Sequence, residues 1–324
     1  MKVFITRTIP QAGIDILKHA GCAITMNEEK RNLTQEELIS FSKQNDVVLN
    51  GGFDKMNASY IEACNHLKAI SLMTVGYDNI DIAAATKYKI PVSNTPGVLS
   101  NATSDVAFLL MLAVSRKAFY MNQVIREGKW SYYNTTANLG IELYKKILGI
   151  FGLGKIGFEM AKKAKAAYGM QIIYHNRNHN EEAEKKLGAT YVSFDELLKQ
   201  SDVLSEHVSL SEQTKGIFNK DVFSKMKPTA IFINTGRGGL HNEADLLYAL
   251  QNNIIWGAGL DVTNPEPMEK DNPLLSLPNV CVLPHIGSAT VQTRNAMATL
   301  AAQNIIASCQ GKRLPNIINP EVYG

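Results

Sequence analysis

The stretch from Lys146 to Gly157, Lys-Ile-Leu-Gly-Ile-Phe-Gly-Leu-Gly-Lys-Ile-Gly, constrains this chain more than any other. A short apolar run breaks into glycines and then enters Ala- and Lys-rich sequence, which reads as strand, tight turn and helix start. Gly152, Gly154 and Gly157 have the G-x-G-x-x-G spacing. In a dinucleotide site the first such glycine permits the turn, the second lets backbone approach a pyrophosphate, and the third lets helix pack close to strand. The pyrophosphate would rest on unpaired N–H groups and the positive dipole end of a helix starting near Lys155. Glycine turns also precede helices as plain structure, so the flanking sequence decides. Ile147 to Phe151 is β-rich, Phe158 to Tyr168 carries Ala161, Ala164 and Ala167 near helical spacing, and Met170 to Tyr174 is a second apolar run. Together they make a βαβ unit of about thirty residues.

An NAD site places Asp or Glu about twenty residues past the glycines, to accept from the ribose 2′-hydroxyl. This chain has Asn176 there, followed by Arg177. A neutral residue beside a guanidinium suits a 2′-phosphate, so the sequence favours NADP, with NAD as the alternative should Arg177 be a solvated loop cation.

At 324 residues the chain has room for two domains. With 45% hydrophobic and 19% charged residues it is an ordered globular protein. A net charge of +3, with no Lys/Arg block, leaves no footprint for nucleic acid. The longest apolar run, Val106 to Val114, falls short of the roughly twenty residues that span a bilayer, so no membrane partner is expected. The N-terminus enters a strand-like run without a signal peptide. Cys22, Cys64, Cys281 and Cys309 are scattered without metal-ligand spacing and read as reduced thiols of a cytoplasmic protein, with no metal.

Up to about Thr95, strand-like Lys2–Thr6, Cys22–Met26, Val47–Asn50 and Lys68–Met73 alternate with helical Gly13–His19, Thr34–Ser42 and Ile61–His66, the pattern of a parallel sheet under helices. Val75-Gly76 then forms a turn at a strand end, where open α/β sheets bind ligands. Its N–H groups can hold a carboxylate, although such turns are more often structural. A hinge is placed near Pro91–Gly97, and Asn101–Ala118 reads as one long helix, apolar almost all round and so buried between domains or subunits. Beyond the dinucleotide unit come helix Phe194–Gln200, strand Val203–His207, helix Lys220–Met226, strand Ala230–Asn234, helix Asn242–Leu250, strands Ile255–Val262 and Val280–Leu283, and helix Val291–Ile306.

Three features at these later strand ends carry chemistry. Arg237, between glycines in Thr235-Gly236-Arg237-Gly238, can hold a carboxylate bidentately, or is a surface turn cation. Asn264-Pro265-Glu266-Pro267 is a rigid turn with one carboxylate, and His285 follows a strand end, where a histidine is more often structural than catalytic.

In order along the chain, these motifs resemble the D-isomer-specific 2-hydroxyacid dehydrogenases, and among them the glyoxylate/hydroxypyruvate reductases. The likeness runs through Val75-Gly76-Tyr77-Asp78-Asn79-Ile80-Asp81, Asn94-Thr95-Pro96, the glycine loop, Ile233-Asn234-Thr235-Gly236-Arg237-Gly238, Gly259-Leu260-Asp261-Val262 with Pro265-Glu266-Pro267, and Leu283-Pro284-His285-Ile286-Gly287-Ser288-Ala289-Thr290. The resemblance implies an α/β fold of two domains, a Rossmann-type cofactor domain (99–289) inserted into a flavodoxin-like substrate domain (1–98 and 290–324). It implies a substrate arginine at Arg237, a carboxylate at Glu266, an acid/base histidine at His285 and a carboxylate-binding loop at Val75 and Gly76. It places a nicotinamide-side aspartate at Asp261 and further cofactor contacts at Gly154, Lys155, Ile156, Arg177, Ser209, Thr235 and Gly287.

The chain departs from the family pattern at Asn176, and at His207-Val208-Ser209-Leu210, where His-x-Pro-Leu is commoner. Both leave room near a 2′-phosphate, while Asn180 stands where some reductases carry a second basic residue. The implied reaction is reduction of glyoxylate and hydroxypyruvate to glycolate and D-glycerate by a homodimer. In it His285 is the general acid, Glu266 holds its proton, and Arg237 binds the substrate and steadies charge on its oxygen. The alternatives are a D-lactate or phosphoglycerate type of dehydrogenase, or a dinucleotide-sensing scaffold.

Overall fold

The computed structural model describes all of residues 1–324. The chain forms two compact units, Met1–Leu99 with Ala289–Gly324, and Ser100–Ser288.

The first unit has strands β1 (Lys2–Ile5), β2 (Ala23–Met26), β3 (Val47–Asn50), β4 (Ala69–Leu72) and β5 (Val92–Ser93). Between them lie helices α1 (Gln11–His19), α2 (Gln35–Lys43), α3 (Ala58–Ala63) and α4 (Ile82–Lys87). The sheet is parallel in the order β2-β1-β3-β4-β5, the flavodoxin-like order expected. β3 and β4 are buried along their whole length, which is why they read as continuous apolar runs rather than alternating ones. Thr34 starts α2 with a capping box closed by Glu37. Val75 and Gly76 follow β4, with the Val75 carbonyl accepting from Asn94 at 2.8 Å and the Gly76 carbonyl from Thr74 Oγ1 at 2.7 Å.

The second unit opens with α5 (Ser100–Ser115) and α6 (Ala118–Arg126), then runs β6 (Ile147–Phe151), α7 (Lys155–Tyr168), β7 (Gln171–His175), α8 (Glu181–Leu187), β8 (Thr190–Tyr191), α9 (Phe194–Gln200) and β9 (Val203–Glu206). It continues through α10 (Lys220–Ser224), β10 (Ile231–Asn234), α11 (Glu243–Gln251), β11 (Gly257–Leu260) and β12 (Val280–Val282). Its parallel sheet has the order β12-β11-β10-β9-β6-β7-β8. Counted from β6, this is the Rossmann order with one strand added, and the chain reverses direction across the sheet between β6 and β9. One apolar cluster includes Leu110, Val114, Met160, Ala161 and Ala164 from α5 and α7. A second includes Leu197, Phe223, Leu246 and Leu250 from α9, α10 and α11. Each such fully buried large side chain contributes about 1.5–3 kcal/mol. Helix α12 (Val291–Cys309) returns to the first unit, where it packs so closely on α1 that a Cβ on Gly13 would lie 2.9 Å from the Ala298 carbonyl oxygen.

The helix expected over 101–118 ends at Ser115, and a second helix begins at Ala118. Ser115 ends α5 because its carbonyl is taken by Ile141 N–H at 2.9 Å while its hydroxyl turns back to Leu112 at 2.8 Å. Lys117 then adopts φ 54° and α6 starts anew. The strand expected over 255–262 is shorter, since its register with β10 runs only from Ile231↔Gly257 to Asn234↔Leu260. No helix is long and apolar enough to cross a membrane.

Candidate active site

Loops following three adjacent strands of the second unit build the site. After β12, His285 Nδ1 lies 2.6 Å from Glu266 Oε1, with the side chains 21% and 35% exposed. His285 holds φ 52°, a region uncommon for residues other than glycine and enriched at functional turns. Asp261, after β11, fixes this turn: its carboxylate accepts from Ile286 N–H at 2.8 Å and Gly287 N–H at 2.7 Å. Burial pushes the Asp261 carboxyl above its usual range, with those two donors opposing. A Cβ on Gly287 would lie 3.0 Å from Asp261 Oδ2, so a side chain there would crowd the anchor.

After β10, Asn234 shapes the turn that carries Arg237. Its Oδ1 accepts from Gly236 N–H at 2.9 Å and its Nδ2 donates to the Arg237 carbonyl at 2.9 Å. Arg237 Nη1 donates to the Gly236 carbonyl at 2.9 Å. Gly238 then passes so near the next loop that a Cβ would collide with the Thr263 carbonyl. This close approach sets the Arg237 loop against the residues leading to Glu266, a turn held by Thr263 Oγ1 donating to Pro265 O at 2.7 Å.

The glycines of the β6–α7 loop differ in what requires them. Gly152 has φ +94°, and a Cβ there would fall 2.7 Å from Val208 Cγ1. A Cβ on Gly157 would lie 2.8 Å from the Gly152 carbonyl oxygen, so the fold itself demands both. Gly154 has extended backbone and open space within 4 Å of an added Cβ, so nothing in the chain demands it. It is the N-cap of α7 and supplies no side-chain cap to the first-turn amides, which begin at Lys155, Ile156 and Gly157. An uncapped helix start behind an unfilled approach fits the pyrophosphate of a dinucleotide.

Asn176 does more than leave room. Its Oδ1 accepts from Leu153 N–H at 2.6 Å and its Nδ2 reaches the Leu153 carbonyl at 3.3 Å, so it braces the glycine loop. Asn180 donates to the same carbonyl at 2.8 Å and caps α8. Arg177 and Ser209 are exposed, whereas Thr235 is buried with its hydroxyl 3.4 Å from His207 Nδ1. Val75 and Gly76 belong to the first unit.

Sequence reading quoted Asn234 and His207 within motifs without giving either a role of its own, and passed over Glu206. Glu206 ends β9 wholly buried, accepting from Val208 N–H at 3.3 Å while its other oxygen has no partner. Burial pushes its carboxyl well above the usual range. Burial lowers His207 to about 3, and its Nε2 lies 2.9 Å from Ser205 Oγ. The available signal was an acid closing the run Val203-Leu204-Ser205, but its inward direction is a tertiary fact.

Residues 108–287 match the family model described as D-isomer specific 2-hydroxyacid dehydrogenase, NAD binding domain. The chain belongs to the D-isomer-specific 2-hydroxyacid dehydrogenase family. It is 42% identical to a glyoxylate reductase of Thermococcus litoralis over 99% of this chain and 97% of that one. Among solved structures it is similar to a glyoxylate reductase from Paecilomyes thermophila, at TM-score 0.88 and 35% identity, covering 99% of this chain and 98% of that one. It is also similar to an NADPH-dependent glyoxylate/hydroxypyruvate reductase from Sinorhizobium meliloti in complex with NADP and malonate, at TM-score 0.86 and 30% identity, covering 99% and 97%. This D-2-hydroxyacid dehydrogenase is therefore of the glyoxylate reductase type, and its two parallel sheets are those of the family fold.

Proposed function

We propose that this dehydrogenase reduces glyoxylate and hydroxypyruvate to glycolate and D-glycerate, with NADPH preferred over NADH. The observation that carries this reading is the His285–Glu266 pair at 2.6 Å, on a turn anchored by Asp261 and beside the strand end that bears Arg237. The nicotinamide dinucleotide supplies the hydride. His285 would donate a proton from Nε2 to the carbonyl oxygen, and Glu266, 2.6 Å from Nδ1, would orient the ring for that transfer. Arg237 binds the substrate carboxylate through its guanidinium fork and stabilises negative charge as it builds on the carbonyl oxygen. Gly154 and the α7 amides would hold the pyrophosphate, and the exposed Arg177 would meet the 2′-phosphate. The relatives named as NADPH-dependent and as glyoxylate reductases support this assignment.

Initial rates with both oxo acids and both cofactors test it. The expected result is kcat/KM at least about tenfold higher with NADPH, the worth of one charge-assisted contact of about 1.4 kcal/mol or more. A preference for NADH would reduce Arg177 to a surface cation, and no turnover of either acid would overturn the substrate assignment.

A homodimer is part of the proposal. Leu109, Phe119, Ile125, Trp130, Tyr132 and Tyr133 are large hydrophobic residues left exposed on and after α5 and α6. Sedimentation equilibrium showing only monomer would remove this part.

A further inference from the structure

In the first unit, three sulfur atoms from distant parts of the sequence converge. Cys22 Sγ lies 4.0 Å from Cys309 Sγ, and Cys309 Sγ lies 3.3 Å from Met1 Sδ. The backbone fixes this meeting. Met1 and Cys22 precede the first paired residues of β1 and β2, Lys2 and Ala23, and the Met1 carbonyl accepts from Ala23 N–H at 3.0 Å. Cys309 is the last residue of α12, which packs along α1. All three sulfur residues are half-buried and within reach of solvent, whereas Cys64 and Cys281 are buried.

We propose that Met1, Cys22 and Cys309 form a binding site for a soft monovalent metal ion, Cu(I) or its analogue Ag(I). Thiolate and thioether sulfurs select such ions over harder ones. A trigonal three-sulfur site with metal–sulfur bonds of about 2.3 Å has sulfur–sulfur edges of roughly 4 Å. Cys22 and Cys309 already hold that edge, and the unbranched Met1 side chain can rotate to open the shorter one. Zinc is disfavoured, because no group of three or more His, Cys, Asp or Glu residues could hold a metal ion. The neighbouring carboxylate of Asp46 is engaged by Lys2 N–H at 2.7 Å and by Lys68 Nζ at 3.2 Å. Each thiol that becomes a ligand releases its proton to solvent, and the metal keeps its oxidation state.

The test is an anaerobic titration of the reduced full chain with Cu(I) held by bicinchoninate, followed by loss of the chelate's colour and by native mass spectrometry. The expected result is transfer of one Cu(I) per chain. Cys309→Ser should lose it, since Cys309 touches both other sulfurs, and Cys22→Ser should weaken it. The double variant Cys64→Ser/Cys281→Ser should bind as the parent does. Circular dichroism and 2-oxo acid turnover confirm that each variant is folded. Retention of the chelate's colour by the parent chain, or undiminished binding in a Cys22→Ser/Cys309→Ser variant, overturns the proposal.

Discussion

Two Glu/His pairs lie at or beyond the ends of strands of the same sheet, with the same residue types in different surroundings. Glu266 and His285 come from different loops, meet at 2.6 Å and keep part of their surface in water. Glu206 and His207 are sequence neighbours, the first wholly buried with an unpartnered oxygen, the second half-buried with its ring bonded to a serine. In the first pair a proton can be shared, replaced from solvent and delivered. In the second, desolvation raises the Glu206 carboxyl and lowers the His207 imidazole, each toward its uncharged form. Residue type names the candidates for acid–base work, and exposure with a partner selects among them.

The largest test of that contrast is His285→Ala. It should lower kcat for 2-oxo acid reduction by about 10³-fold while NADPH binding, read by fluorescence titration, stays nearly intact. His207→Gln should change kcat far less, and an equal loss in both variants would erase the distinction. Arg237→Ala is next, with kcat/KM falling about 10²- to 10³-fold and Arg237→Lys recovering only part. Steady-state kinetics showing an unchanged KM and kcat for Arg237→Ala would remove it from the site. Glu266→Gln should cost about tenfold in kcat, because the ring then lacks the carboxylate that orients it. An unchanged kcat for Glu266→Gln in steady-state kinetics would remove Glu266 from the site.

The smallest effect belongs to Glu206 and His207 and is read in stability. The raised Glu206 carboxyl stays protonated in the fold, while the unfolded chain releases its proton above about pH 4.5, so stability declines as pH rises beyond that point. His207, lowered to about 3, has the opposite sign, with stability lost as pH falls below the usual imidazole range toward about 3. Glu206→Gln should therefore raise Tm at pH 8, by an amount matching about 1–3 kcal/mol, and leave it unchanged at pH 4. Thermal denaturation across that range checks it, and an equal shift at both pH values would show that packing, not charge, governs the site.

The βαβ unit and the strand ends bearing Arg237, Glu266 and His285 were legible because their signals are local: glycine spacing, an arginine between glycines, prolines around an acid. What escaped depends on contacts between distant segments. Asn176 reads as a missing acid, and only its bond to Leu153 shows it bracing the loop. The break at Lys117 follows from Ile141 claiming the Ser115 carbonyl, which no periodicity within 101–118 encodes. Helix α8 went unread because it buries only Ala183 and Leu187, too little for a recognisable apolar face.

Gly154 places folding and function under different masters. The space around it would accept a serine, whose hydroxyl could close the open start of α7 and steady the free protein by a few tenths of a kcal/mol. That same oxygen would occupy the amides proposed to hold the pyrophosphate. A library selected for heat tolerance without its cofactor would thus drift toward Gly154→Ser and yield hardier, idle molecules, whereas selection with the dinucleotide present would restore the glycine.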